Sequence, residues 1–189
     1  MRGFASLCWL SLALWFAVGT ADATDPDPIA KFPHAGKEVL IYRVGEVIRP
    51  VASDDVLASD LAPVLRNYTA QSGFEACALL CKSADGSSVG AVVTTVRSAA
   101  ACPVAEICRD GMAPSGSDIH SHIHAGTYEP TQTDALFLMK AYARGQKVQT
   151  YPEAFSPGDF ESGPGYLVTP TKLLHQSGGR RIRKVSVSP

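Results

Sequence analysis

Apolar positions along the chain recur with two periods, and each period predicts its own kind of element. In "SDDVLASDLAPVLRNYTAQSG", Leu57, Leu61, Val64, Leu65 and Tyr68 recur at helical spacing, predicting an amphipathic helix closed by Gly73. Ser53 or Asp60 can cap it; because Pro63 is tolerated best in a first turn, the regular helix is expected to start near Asp60. "EVLIYRVGEVI" has strand composition and is expected to pair at a sheet edge. "FEACALLCKSADGSSVGAVVTTVRS" reads as a β-hairpin turning at Asp85-Gly86, followed by a long loop that holds Cys102 and Cys108. "GSDIHSHIH" predicts a short strand. "TQTDALFLMKAYARGQ" predicts a helix with Thr131 or Thr133 as cap and Gly145 as stop. "FSPGDFESGPG" is turn-rich, and "GYLVTPTKLLHQSGGRRIRKVSVS" predicts two strands, a Gly-Gly turn and a last strand. This order of elements implies an α+β fold. It predicts a single domain over residues 38–189, with a mixed, mostly antiparallel sheet and flanking helices.

The first 23 residues follow a different pattern. Arg2 precedes the apolar run "FASLCWLSLALWFAVG", and "ADA" at Ala21 to Ala23 is a small-x-small cleavage signature. Residues 1–23 are therefore expected to be a signal peptide, and residues 24–37 a proline-rich, extended lead-in. The apolar run ends in a cleavage motif rather than in charges, so no stable membrane anchor is expected after cleavage, and the protein is expected to be periplasmic or secreted.

Export changes what the cysteines mean. Without Cys8 four remain, Cys77, Cys81, Cys102 and Cys108, an even number in an oxidising compartment. If Cys77 and Cys81 lie on one strand they share a face but stand roughly 13 Å apart, at about 3.3 Å per residue. A disulfide needs Cα atoms within about 7 Å. Each must then reach Cys102 or Cys108, and spacing leaves the pairing open. The C-x3-C and C-x5-C spacings fit zinc poorly.

Composition narrows the class further. The chain is 46% hydrophobic and 19% charged with a net charge of −1, so no basic excess points to nucleic acid. The basic run Arg180, Arg181, Arg183 and Lys184 is expected to be a solvated strand face.

The candidate chemistry lies in "SDIHSHIHAG", which alternates His120, His122 and His124 with Ser121 and Ile123. Residues i and i+2 of a strand share a face, so His120 and His122 can offer ring nitrogens to one ion, with His124 joining if the strand persists. Two histidines need a third protein ligand, and two aspartates compete. Asp134 lies 12 positions after His122 in "TQTD", and Asp159 lies 37 after it in "FSPGDF".

Taken in order, Glu75 in "GFEACALLC", H-S-H at His120 to His122, Ser156-x-x-Asp159 and "YLVTP" after it resemble the JAMM (MPN+) zinc metalloprotease family, here in a bacterial secreted, JAB-like form. The resemblance spans about residues 53 to 187. It implies a JAMM or cytidine-deaminase-like layout, zinc held by His120, His122 and Asp159, and an activated water as nucleophile. It also implies Glu75 as the group that moves protons and Ser156 as donor to the oxyanion. The substrate so implied is a protein or peptide, cut at a peptide or isopeptide bond. Ile123 stands where the family usually has proline, and Ala78 where glycine is common. Asp159 is preferred because "FSPGDF" keeps the serine and runs into "YLVTP", which makes 125–154 an insertion over the site. Two other functions compete: a JAMM-like scaffold without catalysis, and a disulfide-stapled protein that binds metal through its histidines.

Overall fold

A computed structural model describes residues 27–186; the expected signal peptide lies outside them. In chain order the elements are β1 (Ala30–His34), β2 (Lys37–Pro50), α1 (Asp54–Ser72), β3 (Cys77–Ser83), β4 (Ser88–Thr95), β5 (Met112–Ser121), β6 (Thr127–Tyr128), α2 (Gln132–Phe137), β7 (Val148–Gln149), α3 (Pro157–Glu161), β8 (Gly165–Val168), β9 (Leu173–Gln176) and β10 (Ile182–Lys184). Eight strands form one sheet in the order β1-β2-β4-β3-β5-β8-β9-β10, with β6 and β7 in a separate ribbon. Within the large sheet β5 and β8 run parallel and the other pairs antiparallel. The fold is α+β, as the pattern of elements implied.

Helix α1 crosses one face of this sheet. Leu57, Ala58, Leu61, Ala62 and Leu65 are fully buried against Ala78 and Leu80 of β3, Ile119 of β5 and Val168 of β8. The helix starts at Asp54 rather than near Asp60, and Pro63 sits in its interior. An interior proline costs roughly 3 kcal/mol. Starting early buries Leu57, at roughly 1.5–3 kcal/mol, and lets Ser53 accept from the Val56 amide as N-cap, at about 1 kcal/mol. Pro63 faces solvent, so its ring displaces nothing in the core.

Other boundaries also differ from the pattern. The lead-in supplies β1, so β2 lies inside the sheet and Ala30–His34 forms the edge. The helix expected after Thr131 ends at Phe137, beyond which the chain is irregular up to β7. Part of the turn-rich "FSPGDFESGPG" is helical as α3.

Alternation along β3 and β5 assigns the two faces. Ala78, Leu80 and Ile119 point to α1, so Cys77, Leu79, Cys81, Asp118 and His120 point to the opposite face. There the disulfides Cys77–Cys102 and Cys81–Cys108 tie the 96–111 segment down, with Cα separations of 5.8 and 5.9 Å. Among the described residues no helix is long and apolar enough to cross a membrane.

Candidate metal centre

His120 ends up opposite Cys77 in the β3–β5 register, on the sheet face away from α1. Ser121, pointing the other way, is buried and fixes this end of β5. Its Oγ lies 2.6 Å from Thr69 Oγ1 and accepts from the Ala76 amide at 2.9 Å. His122 follows the strand but still pairs with β8, its amide donating to the Val168 carbonyl at 3.2 Å. The regular strand stops at Ser121, so His124 leaves the shared face and is exposed.

Asp159 closes the cluster from α3. His120 Nε2 lies 3.4 Å from Asp159 Oδ1, and His122 Nε2 lies 3.4 Å from Oδ2. One ligand atom from each of His120, His122 and Asp159 can be chosen so that all three lie within 4.8 Å of one another. Two ligand atoms bound tetrahedrally to one ion at about 2.1 Å stand roughly 3.4 Å apart, the separation of each imidazole nitrogen from its nearer Asp159 oxygen, so the cluster can hold a small divalent cation. His120 Nε2 is buried without a hydrogen-bond partner, an orphaned nitrogen of the kind a metal ion satisfies. His122 Nδ1 lies 3.1 Å from the Tyr151 carbonyl. That contact assigns the ring proton to Nδ1 and leaves Nε2 as the ligating atom.

Asp134, the rival aspartate, is fully buried elsewhere. Its Oδ1 accepts from Ser98 Oγ (2.6 Å) and from the amides of Ala99 (2.7 Å) and Ala100 (3.1 Å). Its Oδ2 accepts from the amide and hydroxyl of Thr131, at 2.7 and 2.8 Å. With both oxygens engaged, Asp134 pins α2 to the 98–100 turn and lies outside the triad.

Glu75, just before β3, is buried and lines the same cavity as the triad. Its backbone is fixed on both sides: the amide donates to Ser98 O and the carbonyl accepts from Thr95 Oγ1, each close to 2.8 Å. Burial pushes the Glu75 carboxyl up to about 8; His122 opposes the shift, and Asp159 and Asp134 add to it. For Asp159, burial acts upward, but the contacts with His120 and His122 outweigh it and hold the carboxyl well below the usual range. For His122, burial acts downward, and Asp159 with Glu75 outweigh it, so its pKa is raised. Two carboxyls in one cavity are thus driven apart, one toward the proton and one away from it.

Ser156 also lines the cavity, and its hydroxyl accepts from the Asp159 amide at 3.4 Å as N-cap of α3. The hydroxyl proton remains available to a group in the cleft. The cavity measures about 700 Å³. Ala99 to Val104, stapled by Cys102, form one wall, and Tyr128, Phe137, Leu138 and Tyr151 of the 125–154 segment form another. Glu75, His120, His122, Ser156 and Asp159, the residues that the sequence motifs mark, all line this cavity. Asp118, two positions before His120, lines the cavity as well and is not among them. The strand alternation that grouped the histidines also covers position 118, so that signal was present.

No protein-family model, no curated protein and no solved structure matches this chain. By its own geometry, the cluster of His120, His122 and Asp159 can hold a metal ion.

Proposed function

We propose that this protein is an exported zinc metallopeptidase of the JAMM type, hydrolysing a peptide or isopeptide bond in a protein or peptide substrate. The observation that carries the proposal is the placement of Glu75, buried and driven toward the protonated form, in the same cavity as His120, His122 and Asp159. The donor set of two imidazoles and one carboxylate, with room for a further ligand, suits catalytic zinc. Bound there, zinc supplies a Lewis acid that lowers the pKa of a coordinated water to about 7.

The chain's own groups supply the rest. Glu75 accepts the proton of the attacking water at a carboxylate oxygen and returns it to the leaving nitrogen as the C–N bond breaks. A cation held beside it by His120, His122 and Asp159 would draw the Glu75 carboxyl back toward the ionised form that the first transfer needs. Ser156 Oγ–H donates to the carbonyl oxygen of the substrate as negative charge develops there. The Tyr151 carbonyl orients His122. The Cys77–Cys102 and Cys81–Cys108 disulfides fit an oxidising, extracytoplasmic compartment.

Zinc content and amide hydrolysis, measured together on the purified chain, test the proposal. About one zinc per chain is expected, lost in His122→Ala and Asp159→Ala, with peptide cleavage that stops on chelation and returns with zinc. Zinc without cleavage of any peptide or isopeptide probe would instead establish a non-catalytic metal binder. Failure to take up zinc at all would leave a scaffold.

A further inference from the structure

Asp118 has no part in the zinc chemistry proposed above. It stands on β5 two positions before His120, half-buried, with its side chain in the cavity. Among the described residues it has no hydrogen-bond or ion-pair partner. Its place is nevertheless specific: in the parallel β5–β8 register it opposes Gly165, and a Cβ at 165 would collide with the Asp118 carboxylate. Glycine at that position leaves the space the carboxylate occupies.

The charge of the cavity points the same way. Its charged lining consists of Glu75, Glu106, Asp118 and Asp159 besides the two histidines, and among the described residues no lysine or arginine lines it. In the proposed site Asp159 is taken up by the metal and Glu75 by proton transfer, which leaves Asp118 as the half-buried carboxylate without a task. A half-buried carboxylate with no hydrogen-bond partner of its own offers its oxygens to a cationic donor from the substrate. A substrate carboxylate would meet only like charge beyond the metal.

Resting on the peptidase reading, we infer that Asp118 determines specificity in this cleft by binding a primary ammonium group of the substrate next to the bond that is cut. Two sources carry that group: a lysine-like side chain and a free amino terminus. The apolar wall from Ala99 to Val104 suits the aliphatic stem of the side-chain source.

The experiment uses the zinc-loaded full chain and peptide pools identical except that every lysine is replaced by norleucine, each pool made with free and with acetylated amino termini. Cleavage rates and, independently, fluorescence-anisotropy binding are read for the unmodified protein and for Asp118→Asn. Lysine pools are expected to show at least tenfold higher kcat/KM and tenfold tighter binding, with acetylation changing neither. Asp118→Asn should bring that preference close to one while its zinc content and its rate on norleucine pools stay within about threefold. A preference that follows the free amino terminus instead would assign the ammonium to that source. Equal treatment of all four pools by the unmodified protein, or an undiminished lysine preference in folded Asp118→Asn, would overturn the inference. Should no pool be cleaved, the peptidase reading fails, and the binding preference still decides the role of Asp118. The comparison of pools on the unmodified protein holds even if the variant does not fold.

Discussion

Thr131-x-x-Asp134 and Ser156-x-x-Asp159 form the same local structure, a capping box at the start of a short helix, yet the two aspartates have different fates. Asp134 spends both oxygens on buried donors, whereas Asp159 faces His120 and His122. Asp134→Ala is therefore expected to strip partners from buried amides and hydroxyls and to destabilise the fold by roughly 3 kcal/mol or more, while a correctly folded fraction still binds zinc. Asp159→Ala should do the reverse, losing zinc at a stability cost of about 1 kcal/mol for the weakened cap. Denaturant unfolding alongside elemental analysis separates the two. Glu75 gives a prediction of another kind. Its pKa is raised on folding, from 4.5 to about 8, so the metal-free folded state holds a proton that the unfolded chain has released. Its contribution to stability is full below about pH 4.5 and is lost as pH rises toward 8. Metal-free Glu75→Gln should thus unfold at higher temperature than the unmodified chain at pH 8, with the difference shrinking toward pH 5. With zinc bound, the same substitution is expected to keep the metal and reduce kcat by about 10²–10⁴-fold.

At the scale of elements, the site depends on two short pieces held by side chains rather than by length. Helix α3 has five residues and α2 six, too short to be stable alone, and each is held by its capping box and its tertiary contacts. The 96–111 segment has no regular structure for most of its length, yet it walls the cavity because Cys102 and Cys108 anchor it to β3. Each bridge spans a comparable stretch of chain, with sequence separations of 25 and 27, and removing either should cost roughly 2–5 kcal/mol. Their effects on the site should differ. Cys102 lines the cavity, whereas Cys108 does not. Replacing the Cys77–Cys102 pair with serines is expected to raise KM several-fold in the surviving folded protein. The Cys81–Cys108 replacement should act mainly on thermal stability, so KM and melting temperature compared across the two double variants check this assignment.

For the molecule as a whole, a metal held by the triad would link to the fold, because the triad joins β5 and its flank to α3 across 37 positions of sequence from His122 to Asp159. At a free zinc concentration about a hundred times Kd, binding adds about 2.7 kcal/mol to the native state. Melting temperature is then expected to rise by roughly 5 °C or more on zinc addition and to fall back with a chelator. The His122→Ala chain should show no such shift. Because the histidines must be neutral to ligate, and the environment of His122 raises its pKa, the zinc-induced shift should shrink as pH falls below neutrality.

Local pattern alone determined a good part of this protein. Strand alternation placed His120 and His122 on one face, the distance between Cys77 and Cys81 ruled out a bridge between them, and the Asp85-Gly86 turn set the hairpin that follows Glu75. These features rest on one or two neighbouring residues or on a fixed repeat, so they can be read without knowing the fold. Other features depended on contacts between distant residues. The start of α1 was decided by Leu57 packing on the sheet together with the Ser53 cap, which offset the cost of Pro63. Cys77 chose Cys102 over Cys108 because β3 runs antiparallel to β4 and thus meets the returning loop first at its Glu75 end. Asp159 rather than Asp134 reached the histidines because β8 pairs parallel to β5 and brings the preceding α3 over the His120 face, while Ser98 and its neighbours had already engaged Asp134. The two Ser/Thr-x-x-Asp motifs are locally equivalent. Only the strand order, which brings α3 beside β5, tells them apart.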